Sequence, residues 1–492
     1  MTSASPSSID QQQPITIASA PGKVLVTGGY LVLDQQYTGL VIGTSARFYT
    51  IIRNLNTEQG TIKVRSPQFD QATWNYTASL SQQNVLGFEP ESTASSNKFV
   101  ETCLRFTLTV ILQSMDAARF KSLLKQGMDI SIVGDNDFYS QREELEKLGL
   151  SIKKASSRER LASFCDTHAT LGTVNKTGLG SSAALTTSLV AALFLYFGVL
   201  SNLDQEKDLT LIHNVAQFVH CFAQGKVGSG FDVSAAVYGS HSYHRFDPNI
   251  LAPIMDEKVD PVVLTKALSH DNNSWDNKVL PVGLPPQFQM ILADIDAGSH
   301  TPTLVSKVLK WRKEQPNEAN ALWNELGAYN EKVEQHFRDL ASISAKDESL
   351  YKETMTRLAQ LPASQWINAP TENNKVQQSM VELVSDFAKV RELLQKMSAA
   401  TGVPIEPTEQ TELLNQCMAV PGTIMAGVPG AGGYDAIYCI VLSEEAKEKV
   451  RHVWERWTGC SVSPLLCQAD SNGVTKVDPN SDIGLVCVDR SF

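Results

Sequence analysis

The sequence lacks most of the features that would fix a class at a glance. It has eight cysteines in 492 residues, none in a C-x-x-C pair and none beside a histidine at zinc-site spacing. A chain this long buries enough core without covalent staples, so the thiols read as reduced and the protein as cytoplasmic. There is no excess of positive charge. Lys and Arg number 42 against 53 Asp and Glu, a formal net charge of −11. That argues against non-specific nucleic-acid binding, which runs on phosphate neutralisation. No internal repeat and no G-x-x-x-x-G-K-[ST] loop is visible. Residues 1–14 are rich in Ser and Gln, with no basic or apolar stretch, and read as a disordered tail rather than a secretory signal. The uncharged run 183–200 carries Thr186, Thr187 and Ser188 and is barely long enough for a bilayer. It reads as a buried helix, so no membrane partner is expected.

What is present is an ordinary globular composition, 42% hydrophobic and 19% charged. Residues 15–53 read as strand, turn, short helix, strand. Residues 79–98 read as a polar loop, 98–124 as a helix, 128–133 as a strand and the charged stretch 141–161 as a solvated insertion. A composition shift follows Phe246. It divides the chain into a first domain (15–246), a connection rich in Pro, Asp and Asn (247–286) and a second domain (287–492). In the second, 288–295 and 436–442 read as strands. Residues 303–360, broken near Pro316, read as mostly helical, and 375–400 and 443–457 as helices. The class is α+β in both halves.

Four segments carry chemistry. The first is Lys176-Thr177-Gly178-Leu179-Gly180-Ser181-Ser182-Ala183, a Gly turn feeding a helix start. Such a turn aims free N–H groups and the positive end of a helix dipole at one point, where phosphate is the usual occupant. The plainer reading is a tight turn with a capped helix. The segment also fits G-x-G-x-x-[GA], with Asp204 at the spacing of dinucleotide folds. That reading is disfavoured because 183–197 reads as one helix and leaves no second strand. The second segment is APGKVLVTGG, where Lys23 sits in an apolar strand. It must find an anion or snorkel to the edge. The third is Lys226-Val-Gly228-Ser229-Gly230-Phe231-Asp232, in which Asp232 either caps a small-residue helix or faces a substrate. The fourth is Gly427-Val-Pro-Gly430-Ala-Gly432-Gly433-Tyr434-Asp435. Its glycines demand close backbone approach to a ligand or to another phosphate loop, unless it is simply an irregular loop.

In this order the motifs resemble the GHMP kinase superfamily, which joins a Lys-bearing N-terminal motif, a central phosphate loop and a C-terminal Gly-rich motif. Within it the chain resembles the phosphomevalonate kinase family. Gly28-Gly29-Tyr30 stands where mevalonate kinases have Gly-Glu-His, and GSHTPTLV at 298–305 is similar to that family's second-domain loop. The resemblance implies a ribosomal-protein-S5-like N-terminal domain and a ferredoxin-like C-terminal domain, with ATP lying between the central loop and the Gly-rich motif. It implies ATP and Mg²⁺ as cofactors and 5-phosphomevalonate as acceptor, giving 5-diphosphomevalonate on the route to isoprenoids and sterols. By position, Lys176 to Ala183 bind ATP, Ser182 ligates Mg²⁺, Lys23 and Asp232 are catalytic, and Gly430, Gly432 and Gly433 contact a substrate. Val219-His220-Cys221 stands where mevalonate kinases place a second metal-binding Glu. Alternatives within reach of the same motifs are a mevalonate or sugar acceptor, and a relative that kept the fold without catalysis.

A phosphomonoester acceptor has a second pKa of about 6 and is mostly dianionic at neutral pH. It needs cationic cover more than a base. Lys23, Lys176, Lys226 and Arg245 are the candidates, with Lys226 assigned to the acceptor phosphate. The sequence does not fix which residues hold the acceptor's carboxylate; Ser229, Arg245 and residues 299–301 are the candidates. Asp232 is expected mainly to orient Lys23 and the acceptor.

Overall fold

In the strand that carries Lys23, only Thr16 and Lys23 itself escape full burial along Thr16–Thr27. A strand buried on both faces belongs inside a sheet, and that is where the computed structural model puts it. The structure describes residues 15–57, 60–91, 97–295, 301–368 and 374–491. Its strands are β1 (Thr16–Thr27), β2 (Thr38–Asn54), β3 (Thr61–Arg65), β4 (Thr73–Leu80), β5 (Leu86–Pro90), β6 (Met128–Gly134), β7 (His241–His244) and β8 (Lys278–Pro281). They continue with β9 (Gln289–Ile295), β10 (Thr423–Gly427), β11 (Ala436–Val441), β12 (Val462–Pro464) and β13 (Thr475–Val477).

The larger sheet runs β13-β1-β2-β6-β3-β4-β5, with β7 also on β2 and β8 on β7. The helices 98–114, 181–196 and 206–224 share one apolar core with it. The helix Ser181–Tyr196 is apolar all round because it is enclosed on all sides, and it is unbroken, which removes the dinucleotide reading. The β1–β2 register shifts between Pro21 and Lys23. Ser45 of β2 turns to residue 468 instead, through its N–H to the Gln468 carbonyl at 2.8 Å. Such an irregularity re-aims a side chain, and here the side chain beside it is Lys23.

The smaller sheet reads β12-β9-β11-β10, all antiparallel. Counted from β9 this is the order 4-1-3-2 of a βαββαβ ferredoxin-like unit, with the helices 408–418 and 444–456 packed on one face. The long helices 316–346 and 375–401 cover the other face, where Phe387 meets Tyr438.

Several sequence expectations change here. The polar stretch 79–98 contains β5, and the helix expected over 98–124 is two, broken between Ser114 and Ala117. The connection 247–286 holds the helix Pro261–Leu268 and β8, so its end belongs to the larger sheet. Nor do the residues after 287 all stay in the second unit, because β13 pairs with β1 through Ile17 opposite Val477. The charged stretch 141–161 is solvated only in part: Glu143, Glu146, Lys147, Lys154, Glu159 and Arg160 are exposed, but other charges turn inward. Arg142 reaches Ser461 Oγ at 2.7 Å and Asp294 at 3.7 Å, Lys153 donates to the Trp457 carbonyl at 2.7 Å, and buried Arg158 pairs with Asp137 at 3.2 Å. Arg142 and Lys153 thereby tie the two units together, while the Arg158–Asp137 pair stays within the first. Among the described residues no helix is long and apolar enough to cross a membrane.

Candidate active site

The helix Ser181–Tyr196 starts from Gly180, which is in the left-handed region at φ 81°, as is Gly178 at φ 77°. A side chain is strained at both, so glycine is what lets the chain turn into the helix with its first N–H groups facing outward. Thr177, Leu179 and Ala183 are buried. The Thr177 hydroxyl is committed to the Asp137 carbonyl at 2.5 Å. None of these three, expected to bind ATP, lines the cavity: the Thr177 N–H bonds the Phe138 carbonyl at 3.2 Å and the Leu179 carbonyl is taken by the Lys23 N–H, whereas Gly178, Gly180, Ser181, Ser182 and Lys176 line an open cavity of about 1040 Å³. A second cavity of about 430 Å³ shares Lys176, Ser181 and Ser182 and is walled by Trp74, Phe99, Tyr139 and Leu171.

Lys23 closes the loop from the sheet side. Its N–H bonds the Leu179 carbonyl at 2.9 Å and its Nζ bonds the Gly178 carbonyl at 2.8 Å. A Cβ on Gly180 would stand 3.1 Å from Lys23 Cε. The ammonium lies over the Phe231 ring, 5.3 Å from its centre. Burial lowers the Lys23 pKa, and Asp232 and Asp435 act to raise it again. Lys23 thus feels two carboxylates, one from the middle of the chain and one from its last quarter.

Asp232 sits in the first turn of the helix Phe231–Tyr238, which starts at Gly230. Its carboxylate accepts from the Val233 N–H at 3.0 Å and lies 3.9 Å from His220 Nε2. The same nitrogen is 3.1 Å from Ser182 Oγ. His220 is buried, which lowers its pKa, with Asp232 opposing. The phosphate-loop serine and the helix-start aspartate therefore meet across one imidazole.

Other expected residues stand elsewhere. Lys226 and Ser229 do line the larger cavity. Arg245 stands behind it, donating to the carbonyls of Leu33 and, at 2.6 Å, Gly228, so it braces the loop before Asp232 and does not face the cavity. The glycines Gly430, Gly432 and Gly433 do not line the cavity either. Gly430 N–H bonds the Leu25 carbonyl at 3.1 Å and Gly433 N–H bonds the Ile405 carbonyl at 2.9 Å. The close approach that these glycines permit is to the protein's own backbone. Residues 298–300 lie outside the described residues, as does the side chain of Thr301.

Three cavity residues were given no role from the sequence: Asp294 at the end of β9, Asp435, which closes the fourth segment before β11, and His220, which stands at the place of a metal-binding Glu. Asp435 directly follows the glycine-rich motif, and a Cβ on Gly178 would stand 3.8 Å from its Cβ. The pairing of β9 with β11, Asp294 opposite Ala436, brings both residues to the cavity wall.

A phosphate loop, a lysine and a helix-start aspartate around one cavity define a small-molecule kinase site. The GHMP kinases N terminal domain matches residues 141–240, and the GHMP kinases C terminal domain matches residues 380–458. A peroxisomal phosphomevalonate kinase of Arabidopsis thaliana is 37% identical over 93% of this chain and 95% of its own length. A phosphomevalonate kinase of Gibberella zeae is 37% identical over 94% of this chain and 97% of its own. The solved structure of Streptococcus pneumoniae phosphomevalonate kinase in complex with phosphomevalonate and AMPPNP is 12% identical. It covers 92% of this chain and 99% of that one at a TM-score of 0.55, a likeness of fold. The chain belongs to the phosphomevalonate kinase family of GHMP kinases.

Proposed function

We infer that the chain transfers the γ-phosphoryl group of ATP to the phosphate of 5-phosphomevalonate, giving ADP and 5-diphosphomevalonate in the mevalonate route to isoprenoids. The observation that carries this is the meeting of two cavities at one helix N-terminus, with Lys23 and Asp232 on the wall of the larger. The smaller cavity, with Trp74, Phe99 and Leu171 on its walls, suits a nucleobase. The larger suits an acceptor that must be covered by cations.

In this reading the N–H groups of Gly180, Ser181 and Ser182 hold the nucleotide phosphates, and Lys176 caps them at the cavity mouth. Lys23 lies beside that loop and neutralises charge as the phosphoryl group moves. Lys226, exposed on the opposite wall, receives the acceptor phosphate. Asp232 holds Lys23 and the acceptor in line, since a dianionic phosphate needs little deprotonation. The donors around a Mg²⁺ position fit that ion. Ser182 Oγ and an Asp232 oxygen both stand within 4 Å of His220 Nε2, and both are hard oxygen ligands. Among the described residues no group of three or more His, Cys, Asp or Glu forms a metal cage. The protein would supply one or two ligands, and phosphates and water the rest, as is usual for Mg²⁺ at nucleotide sites. When bound, the ion would supply charge neutralisation between the phosphates.

The test is ATP-coupled turnover with mevalonate, 5-phosphomevalonate, galactose and homoserine as acceptors. Turnover confined to 5-phosphomevalonate is expected. Turnover of another member of the panel in its place overturns the reading.

A further inference from the structure

His220 stands at the junction of the donor and acceptor halves of the site. Its Nε2 is 3.1 Å from Ser182 Oγ on the phosphate loop and 3.9 Å from Asp232 Oδ2 on the acceptor side. The Gln224 amide, one helical turn on, lies 3.2 Å from the same nitrogen, and the Phe99 ring packs 5.6 Å from the imidazole. The helix Glu206–Gln224 holds the ring in place and buries it. The walls of the cavity already carry three carboxylates, Asp232, Asp294 and Asp435. A nucleotide triphosphate and a dianionic acceptor must enter the same space. An imidazole has no anionic form at these pH values, so the position between Ser182 and Asp232 adds no further repulsion.

We propose that His220 is a positioning and specificity residue: it fixes the Ser182 hydroxyl against Asp232 and, by contributing no negative charge there, admits an acceptor that carries its own phosphate. This rests on the acceptor assigned above. A carboxylate at this point would meet the acceptor phosphate across a poorly screened cavity, where like charges are costly. A neutral amide of the same shape would not.

The experiment compares two isosteric pairs, His220→Glu with His220→Gln and His220→Asp with His220→Asn, in the full chain. Calorimetric titration with 5-phosphomevalonate, and separately with a non-hydrolysable ATP analogue and Mg²⁺, reads affinity apart from turnover. The acidic member of each pair should bind 5-phosphomevalonate at least about tenfold more weakly than its amide partner, a difference of about 1.4 kcal/mol. The ATP analogue should differ less than about threefold within a pair, so the effect falls on one substrate. Equal acceptor affinity within a folded pair overturns the proposal, as does an equal loss for both ligands. If the Glu variant fails to fold, the shorter Asp and Asn pair gives the same comparison. Failure of the unaltered protein to bind 5-phosphomevalonate would instead overturn the assigned function.

Discussion

Two glycine-rich loops in this molecule look alike on paper and do different work. In the loop at 178–182 the left-handed glycines turn the chain so that a helix start opens onto the cavity. In the loop at 427–433 they bring backbone against backbone, within the second lobe as well as across to the first. A Cβ on Gly29 would lie 2.2 Å from the Gly430 carbonyl, and one on Gly432 would lie 2.0 Å from the Ile405 carbonyl. Tyr30 Oη donates to the Ala431 carbonyl at 2.7 Å and Tyr438 Oη to the Val26 carbonyl at 3.0 Å, completing that seam. Glycine content says that something comes close. It does not say whether the neighbour is a ligand or the protein itself.

Substitutions can break this contrast or sharpen it. The largest effect belongs to Lys23→Ala, which removes the cation bonded to the first loop. A fall in kcat of about 10²–10³-fold is expected, the cost of losing one charge-stabilising donor. Steady-state kinetics beside a melting curve check it, and a protein that melts early but turns over normally contradicts it. Next is Gly180→Ala, whose Cβ would push Lys23 Cε from 3.1 Å. A kcat lower by about 10–100-fold is expected, because small displacements of reacting groups are costly. Gly432→Ala should do the reverse. Its Cβ meets a backbone carbonyl that cannot swing away, so stability should fall by about 1–3 kcal/mol while kcat stays within a few-fold. Thermal unfolding reads this directly. Both variants strain a left-handed position and should melt earlier, so turnover decides: if Gly432→Ala lowers kcat and Gly180→Ala does not, the division of labour is wrong.

Lys226→Ala asks how far the first loop's territory extends across the cavity. The acceptor KM should rise about tenfold with the ATP KM unchanged, in keeping with loss of one charge-assisted contact. Equal effects would place Lys226 on the nucleotide instead. The smallest effect is a shift along the pH axis. Burial lowers the Lys23 pKa and the two carboxylates oppose that. Asp232→Asn removes one of them, so Lys23 should lose its proton at a lower pH, and the alkaline limb of the kcat profile should move down. The acidic limb should stay. Loss of an acidic limb in this variant would show that Asp232 is an essential base.

The parts of the site that were legible in the sequence are the ones written locally. Gly178, Gly180 and Ser182 lie within five consecutive residues, and Lys23 and Asp232 each announce themselves against apolar or small neighbours. The strands β6, β9 and β11 were legible for the same reason, as short buried apolar runs. What could not be read was convergence. Asp294 and Asp435 reach one cavity through strand register, and His220 touches Ser182, on another helix. Arg245 had the right charge for a substrate, but two carbonyls, on Leu33 and Gly228, claim it. The segment 141–161 shows the same limit. Its composition spells surface, while pairs such as Arg158 with Asp137 take part of that charge inside.

One consequence follows from the strand at Thr475–Val477, which lies against the strand of Lys23. Just before it, the Gly473 carbonyl accepts from Arg47 at 2.6 Å, and the Val474 N–H bonds the Val237 carbonyl at 3.0 Å on the helix that carries Asp232. The strand of Lys23 and the helix of Asp232 thus both lean on residues near 475. Removing the segment from Gly473 to Val477 would strip an edge strand from the sheet that carries Lys23 and a backbone bond from the helix that carries Asp232, and should lower the melting temperature.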